Sequence, residues 1–247
     1  MEIGNELINF NQQLTIITGD VASLYPNMDI PLTIQIINEL DFECSALTEY
    51  VLSNSYVEYN NDIYRQKTGI AMGTNCAVAL ANIFMGTIID PIIEDNTHVL
   101  FYRRYIDDLF ILFTGTKQDW LHLQHQINQI NNKLTITFTE PATSVIFLDL
   151  HVTLNADLNQ FQTSIYQKWL NKYLYITPQS FHTDHTFKGF IKGELTRYAR
   201  LSTTPQAYNH TKQLFYQRLL KSGYSRLFLN TIFLKHTWSS RLQKREI

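Results

Sequence analysis

The chain has 247 residues, 45% hydrophobic and 17% charged, which excludes a disordered tail and allows one large domain or two smaller ones. Nine Gly and six Pro exclude a collagen-like or low-complexity architecture, and two cysteines, Cys44 and Cys76, exclude a disulfide scaffold or a cysteine-based zinc module, so a reducing intracellular compartment is the default. The formal net charge of −2 averages two opposites: residues 1–150 hold 18 Asp and Glu against six Lys and Arg, and residues 151–247 hold four against 14. An acidic half invites metal ions and a basic half invites phosphate; two halves that simply attract each other are the plainer alternative.

In chain order, Met1 to Phe10 lacks the basic start and continuous apolar core of a secretion signal. Residues 14–18 read as a short buried strand running into Gly19-Asp20. Asp29 is placed to cap a helix over residues 30–40, with Pro31 in its first turn, and Ser45 starts another. Residues 56–59 and 63–66 flank Asn60-Asn61-Asp62, which predicts a hairpin with a three-residue turn. The apolar run from 76 to 93 is interrupted by Asn82 and Asp90, so it predicts a buried helix over about 75–89, stopped by Pro91, and not a membrane span. Strands follow at 99–105 and 109–113, joined through Ile106-Asp107-Asp108. Leu121, Leu123, Ile127, Ile130 and Leu134 recur at near-helical spacing. Further strands are predicted at 134–139, 145–154 and 161–168, and from Phe187 the pattern is helical, polar and basic. Strands mixed with helices and followed by a helical tail make an α+β fold with a C-terminal helical region.

Tyr105-Ile106-Asp107-Asp108 is the sharpest chemical feature. Adjacent carboxylates at a hairpin tip repel each other unless a cation offsets them; a solvated turn built on Asp is the ordinary alternative. Asp20 ends a buried apolar strand, where an unpaired carboxylate is costly. A strand-end Asp beside an Asp pair can hold two Mg²⁺ ions through oxygen ligands and serve phosphoryl transfer, or Asp20 can be a turn cap. Tyr25, five residues on, could wall such a site against a ribose 2′-hydroxyl, or be a core aromatic. Gln66 to Gly73 is a polar, glycine-punctuated loop opening the apolar helix; as a glycine loop alone it is a weak signal and lacks a Walker ending.

Asp20-Val21-Ala22-Ser23-Leu24-Tyr25, Gln66 to Gly73 with Leu80-Ala81-Asn82-Ile83-Phe84-Met85, Arg104-Tyr105-Ile106-Asp107-Asp108, and Phe147-Leu148-Asp149-Leu150 occur in that order. They resemble reverse transcriptase motifs A, B, C and E, in wording similar to the Penelope-like retroelement branch. Ser180-Phe181-His182, Lys188-Gly189, Lys192-Gly193-Glu194 and Arg197 to Arg200 extend the similarity, which covers roughly residues 14–235. The resemblance implies a right-hand polymerase palm, an antiparallel sheet backed by helices, over residues 1–168 and a basic helical thumb over 169–247. It implies Asp20, Asp107 and Asp108 as catalytic carboxylates that, with the Val21 carbonyl, hold two Mg²⁺ ions, Mn²⁺ being an alternative. Tyr25 becomes the sugar gate, and Gln66 and Gly69 line the nucleotide pocket. Arg65 and Lys67 are the nearest cations for the triphosphate, with Arg103 and Arg104 as further ones. Phe147 and Leu148 resemble the primer grip, and Lys133 occupies a loosely matching general-acid position. Ile70-Ala71 and Cys76-Ala77-Val78 depart from the family pattern. Few residues precede Asp20, so the fingers are expected to be largely missing, and no linked endonuclease motif follows.

Lys188, Lys192, Arg197 and Arg200 recur at three- to five-residue spacing and form one basic flank of a helix, suited to duplex phosphates. Tyr198, Phe215, Tyr216, Tyr224 and Phe228 interleave with basic residues, either as contacts or as helical core. His182 and His185 have no nearby Cys for a zinc site. The expected activity is RNA-directed DNA polymerisation: nucleotidyl transfer from deoxynucleoside triphosphates onto a primer paired with an RNA or DNA template. The expected location is intracellular, nuclear for a eukaryotic retroelement, with no membrane partner. A non-catalytic nucleic-acid-binding remnant and a cyclase-like enzyme are the alternatives, the latter leaving the basic tail unexplained.

Overall fold

A computed structural model describes residues 14–40, 43, 45–155 and 160–239; the readings of Met1 to Phe10 and of Cys44 lie outside them. Contacts divide the chain into two compact units, Met1–Thr143 and Ser144–Ile247.

The first unit runs β1 (Thr15–Val21), α1 (Leu24–Asn27), α2 (Ile30–Glu39), α3 (Ser45–Ser53), β2 (Tyr56–Tyr59), β3 (Asp62–Arg65), α4 (Ala77–Ile88), α5 (Asp90–Glu94), β4 (Val99–Tyr105), β5 (Asp108–Phe113), α6 (Lys117–Ile130) and β6 (Ile136–Phe138). Four strands form one antiparallel sheet in the order β4-β5-β1-β6. Ile16 and Ile17 point to opposite faces of β1 and are both fully buried, so this central strand is covered on both sides. Ile17, Leu109, Ile111 and Phe113 of the sheet share one core with Phe84 and Met85 of α4 and Trp120, Leu123 and Ile127 of α6. That is why the 76–93 run is so apolar: α4 lies in the core.

Three local expectations are corrected. The β2–β3 turn has two residues, not three, because Asn60 and Asn61 both take left-handed backbone (φ 51° and 67°), the primed turn that matches strand twist. Pro91 does not merely stop α4; it stands in the first turn of α5, where its missing N–H costs nothing. The single strand predicted over 145–154 is two, β7 (Ser144–Phe147) and β8 (Leu150–Asn155), folded back at Leu148-Asp149.

In the second unit β7, β8 and β9 (Gln160–Ile165) form an antiparallel meander. It is followed by α7 (Asp184–Leu201), α8 (Pro205–Lys221) and α9 (Arg226–Phe233). Thr204 and Ser225 cap α8 and α9 through their hydroxyls, each accepting a main-chain N–H three residues on. The helices enclose a second core around Phe215, whose ring meets those of Tyr175, Phe190, Tyr198 and Phe233 within 6 Å. Tyr198, Phe215 and Tyr224 are buried there, so these aromatics are helical core. The sequence division at 168/169 falls inside this unit, because Thr163 of β9 bonds to Leu201 and Thr203 at the end of α7. No helix among the described residues is long and apolar enough to cross a membrane.

Candidate active site

β1 and β5 pair in a register that sets Asp20 opposite Asp108. Tyr105 pairs with Asp108, so β4 and β5 are joined by a two-residue turn, Ile106-Asp107, at the same end of the sheet. Asp20 is exposed, and Asp107 and Asp108 are half-buried. The main chain is fixed on both strands: the Val21 N–H donates to the Asp107 carbonyl at 3.1 Å, and the Asp20 carbonyl accepts from the Thr137 hydroxyl at 3.3 Å. Gly19 allows this packing, since a Cβ there would lie 2.7 Å from the Phe138 ring. Asp20 thus comes to the same end of the sheet as the Asp107-Asp108 pair, which is far from it in sequence. Carboxylate and carbonyl oxygens are the donors a hard divalent cation takes, so the chemistry of Asp20, Asp107, Asp108 and Val21 fits Mg²⁺. Among the described residues no three His, Cys, Asp or Glu are already gathered as a metal-holding cluster.

Tyr25 lies on α1 and is partly buried against the core. Its carbonyl accepts the Ile70 N–H at 2.8 Å, and Gly69, in left-handed backbone (φ 71°), comes so close to Pro26 that a Cβ would sit 2.4 Å from the Pro26 oxygen. The polar loop is therefore seated on the helix that carries Tyr25. Gln66 turns inward on the loop and donates to the Thr68 carbonyl, while Arg65 donates to the Ser53 carbonyl. Lys67 is exposed and lines a cavity of about 400 Å³ with Asp29, Thr68, Gly69 and Lys133. Lys133 is ion-paired with Asp29 in that cavity.

Arg104, offered by the sequence as a triphosphate contact, is corrected. Its side chain is 8% exposed and forks onto Asp90, at 2.7 Å for the closest pair. Asp90 and Asn82 were visible in the sequence only as interruptions of an apolar run; Asp90 is partly buried and so needs a partner, whereas Asn82 is exposed. Arg103 is exposed, its guanidinium 4.6 Å from the Phe101 ring centre.

In the second unit, Phe147 is buried and Leu148 sits exposed at the β7–β8 turn with φ 54°. Asp149 of that turn pairs with Arg197 of α7 at 3.3 Å, which brings the turn to the basic helix. Lys188, Lys192 and Arg200 are exposed on α7. Lys188 faces Asp184 at 3.9 Å, and Arg197 also pairs with Glu194, whereas Lys192 and Arg200 have no ion pair among the described residues. Lys192, Arg197 and Arg200 line a cleft of about 490 Å³ with Gly189, Gly193 and Thr196.

An antiparallel sheet backed by helices, with an Asp pair on its β4–β5 hairpin opposite an Asp on the neighbouring strand, is the palm of a right-hand polymerase. Residues 5–139 match the family described as Reverse transcriptase (RNA-dependent DNA polymerase), and the chain belongs to that family. Residues 174–234, which hold α7 to α9, match the animal helix-turn-helix domain. No curated protein matches the chain. Among solved structures it is similar to Candida albicans telomerase in complex with a TWJ fragment of telomeric RNA, at TM-score 0.58 and 12% identity over 92% of this chain and 45% of that one. The RNA-dependent RNA polymerase of BmCPV at elongation state gives TM-score 0.59 and 12% identity, over 86% of this chain and 21% of that one. Apo telomerase from Candida tropicalis gives 0.51 and 11%, over 90% and 44%. At such identities the likeness is one of fold, and the chain spans less than half the length of each of these relatives.

Proposed function

We propose that the chain is the palm and thumb-like part of an RNA-directed DNA polymerase of a Penelope-like retroelement. It would act inside the cell, extending a primer on an RNA or DNA template with deoxynucleoside triphosphates. The observation that carries this reading is the register of Asp20 against Asp108 beside the Asp107 turn. Asp20, Asp107, Asp108 and the Val21 carbonyl would hold Mg²⁺ or Mn²⁺, which supplies activation of the primer 3′-hydroxyl and offsets charge on the leaving pyrophosphate.

The chain's own residues do the positioning. The Gln66 to Gly69 loop, tied to α1 through Ile70 and Pro26, lines the nucleotide pocket, and Tyr25 closes it against a 2′-hydroxyl. Lys67 and Arg65 stand on the same loop and strand to meet phosphate charge. The exposed cations of α7 would grip duplex phosphates, with Leu148 at the tip of the neighbouring turn as the primer contact; Phe147 supports that turn from the core.

The test is primer extension with duplex binding measured in parallel. Asp107→Asn and Asp20→Asn should each lower extension by at least about a hundredfold, the scale of losing one fixed charge-stabilising group, and leave duplex affinity within about twofold. Extension by either variant at the parental rate overturns the assignment. A parent that binds duplex and extends nothing at any Mg²⁺ or Mn²⁺ concentration supports the binding remnant instead.

A further inference from the structure

The Asp107 turn is unusual in its backbone. Ile106 is β-branched yet takes left-handed φ, 56°, a conformation that costs of order 1–3 kcal/mol and persists only where its surroundings over-determine it. A two-residue hairpin turn asks for such a φ at its first residue, the Ile106 side chain packs against the core, and one guanidinium ties its carbonyl. Arg104 Nη1 donates to the Ile106 carbonyl at 3.0 Å and to Asn82 Oδ1 at 3.0 Å. Its Nε and Nη2 fork onto the Asp90 carboxylate at 2.9 and 2.7 Å, and Nη2 also reaches the Asn82 carbonyl at 3.2 Å. The Tyr102 hydroxyl donates to Asp90 Oδ1 at 2.7 Å, so the partly buried carboxylate is held from a second side.

The carbonyl that Arg104 grips belongs to the peptide joining Ile106 to Asp107. The next carbonyl, that of Asp107 itself, is held by the Val21 N–H at 3.1 Å. Asp107 is thus clamped by both flanking peptides, one tied through Arg104 to α4 and α5, the other to β1. We propose that Arg104, anchored by Asp90 and Asn82, is a positioning residue that fixes the direction of the Asp107 carboxylate and so sets the metal affinity of the site. This rests on the reading of Asp107 as a metal-holding carboxylate. A lysine keeps the charge and loses the planar fork, so it cannot hold Asp90 and the Ile106 carbonyl together.

The test titrates Mn²⁺ onto the full chain by electron paramagnetic resonance, alongside extension kinetics and thermal melting. Arg104→Lys should raise the Mn²⁺ half-saturation by about 10–100-fold, the usual cost of losing a group that orients a metal ligand. It should lower extension kcat, with partial recovery at high metal, and leave nucleotide KM within about threefold. Asn82 is exposed, so Asn82→Ala removes one acceptor without burying a bare charge and should move the half-saturation the same way by less. If Arg104→Lys fails to fold, Asn82→Ala decides: a parental half-saturation in that folded variant overturns the clamp. A folded Arg104→Lys chain with parental Mn²⁺ affinity overturns it directly. A parent that itself neither binds Mn²⁺ nor extends primers overturns the underlying reading of Asp107, and the clamp with it.

Discussion

Tyr25 is held by its main chain as much as by its ring, because its carbonyl takes the Ile70 N–H and the ring packs on the core. Tyr25→Phe keeps both features and should leave sugar discrimination within about twofold. Tyr25→Ala removes the wall and should raise ribonucleotide incorporation relative to deoxynucleotide by about tenfold or more, a difference of only about 1.4 kcal/mol in transition-state free energy. The ratio of the two incorporation rates checks it, and an unchanged ratio in an active Tyr25→Ala chain makes the residue a core aromatic. The carboxylates were legible as single residues because an Asp pair at a hairpin tip breaks a local rule and an Asp ends the apolar β1, although Asp20 is exposed there and is no buried charge. The Arg104 anchor was not legible, since its partners are 14 and 22 positions away and only burial shows that the charge is committed.

α2 shows what one residue does for an element. Asp29 accepts the Leu32 N–H as N-cap and also pairs with Lys133 from the segment after α6. The hydrogen bond from Lys133, then that from Leu32, hold its carboxyl below the ordinary value. A depressed carboxylate stabilises the fold fully above the unfolded value of about 3.9, and that contribution drains as pH falls through the lower folded value. The Asp29 contribution should therefore be intact at pH 5 and fade below about pH 4. Asp29→Ala should cost about 0.5–2 kcal/mol for the lost cap. Asp29→Asn keeps a capping oxygen and should cost at most about 1 kcal/mol, since Lys133 is half exposed and the pair is partly screened. Urea unfolding of both variants at pH 7, and of the parent from pH 3 to 7, would show whether cap and pair separate in this way. Caps, hairpins and the buried α4 were readable because Asp, Pro and Asn announce their backbone preferences. The β7–β8 turn was hidden because Leu148, in left-handed backbone, carries no such announcement.

Drawn at the boundary between the compact units, the charge asymmetry persists: residues 1–143 hold 17 acidic and six basic residues, and residues 144–247 hold five and 14. A chain of net charge −2 should therefore still bind duplex with a steep salt dependence, because its cations are segregated. Lys188 and Arg197 already have carboxylate partners, so Lys192 and Arg200 should dominate. Replacing those two with Ala should flatten the slope of log affinity against log salt by up to about 0.9 per lost phosphate contact, and replacing Lys188 alone should do less. Fluorescence anisotropy between 50 and 300 mM salt, roughly the range where counterion release is measurable, separates these outcomes, and a slope unmoved by the Lys192 and Arg200 pair would take α7 off the duplex. The same whole-chain view puts the central strand in a different light, that of time. β1 is made well before both its neighbours: Asp20 waits for Asp108, and Val21 waits for Ile136. At a synthesis rate of about 5–20 residues per second, the first edge of β1 stays unpaired for roughly 4–18 s and the second for longer. Ribosome-bound chains ending before β5 should thus expose an apolar strand to proteases and chaperones, and those extended past β6 should bury it. The strand that carries Asp20 is made before the other strands of its sheet and is paired on both sides only when β6 arrives.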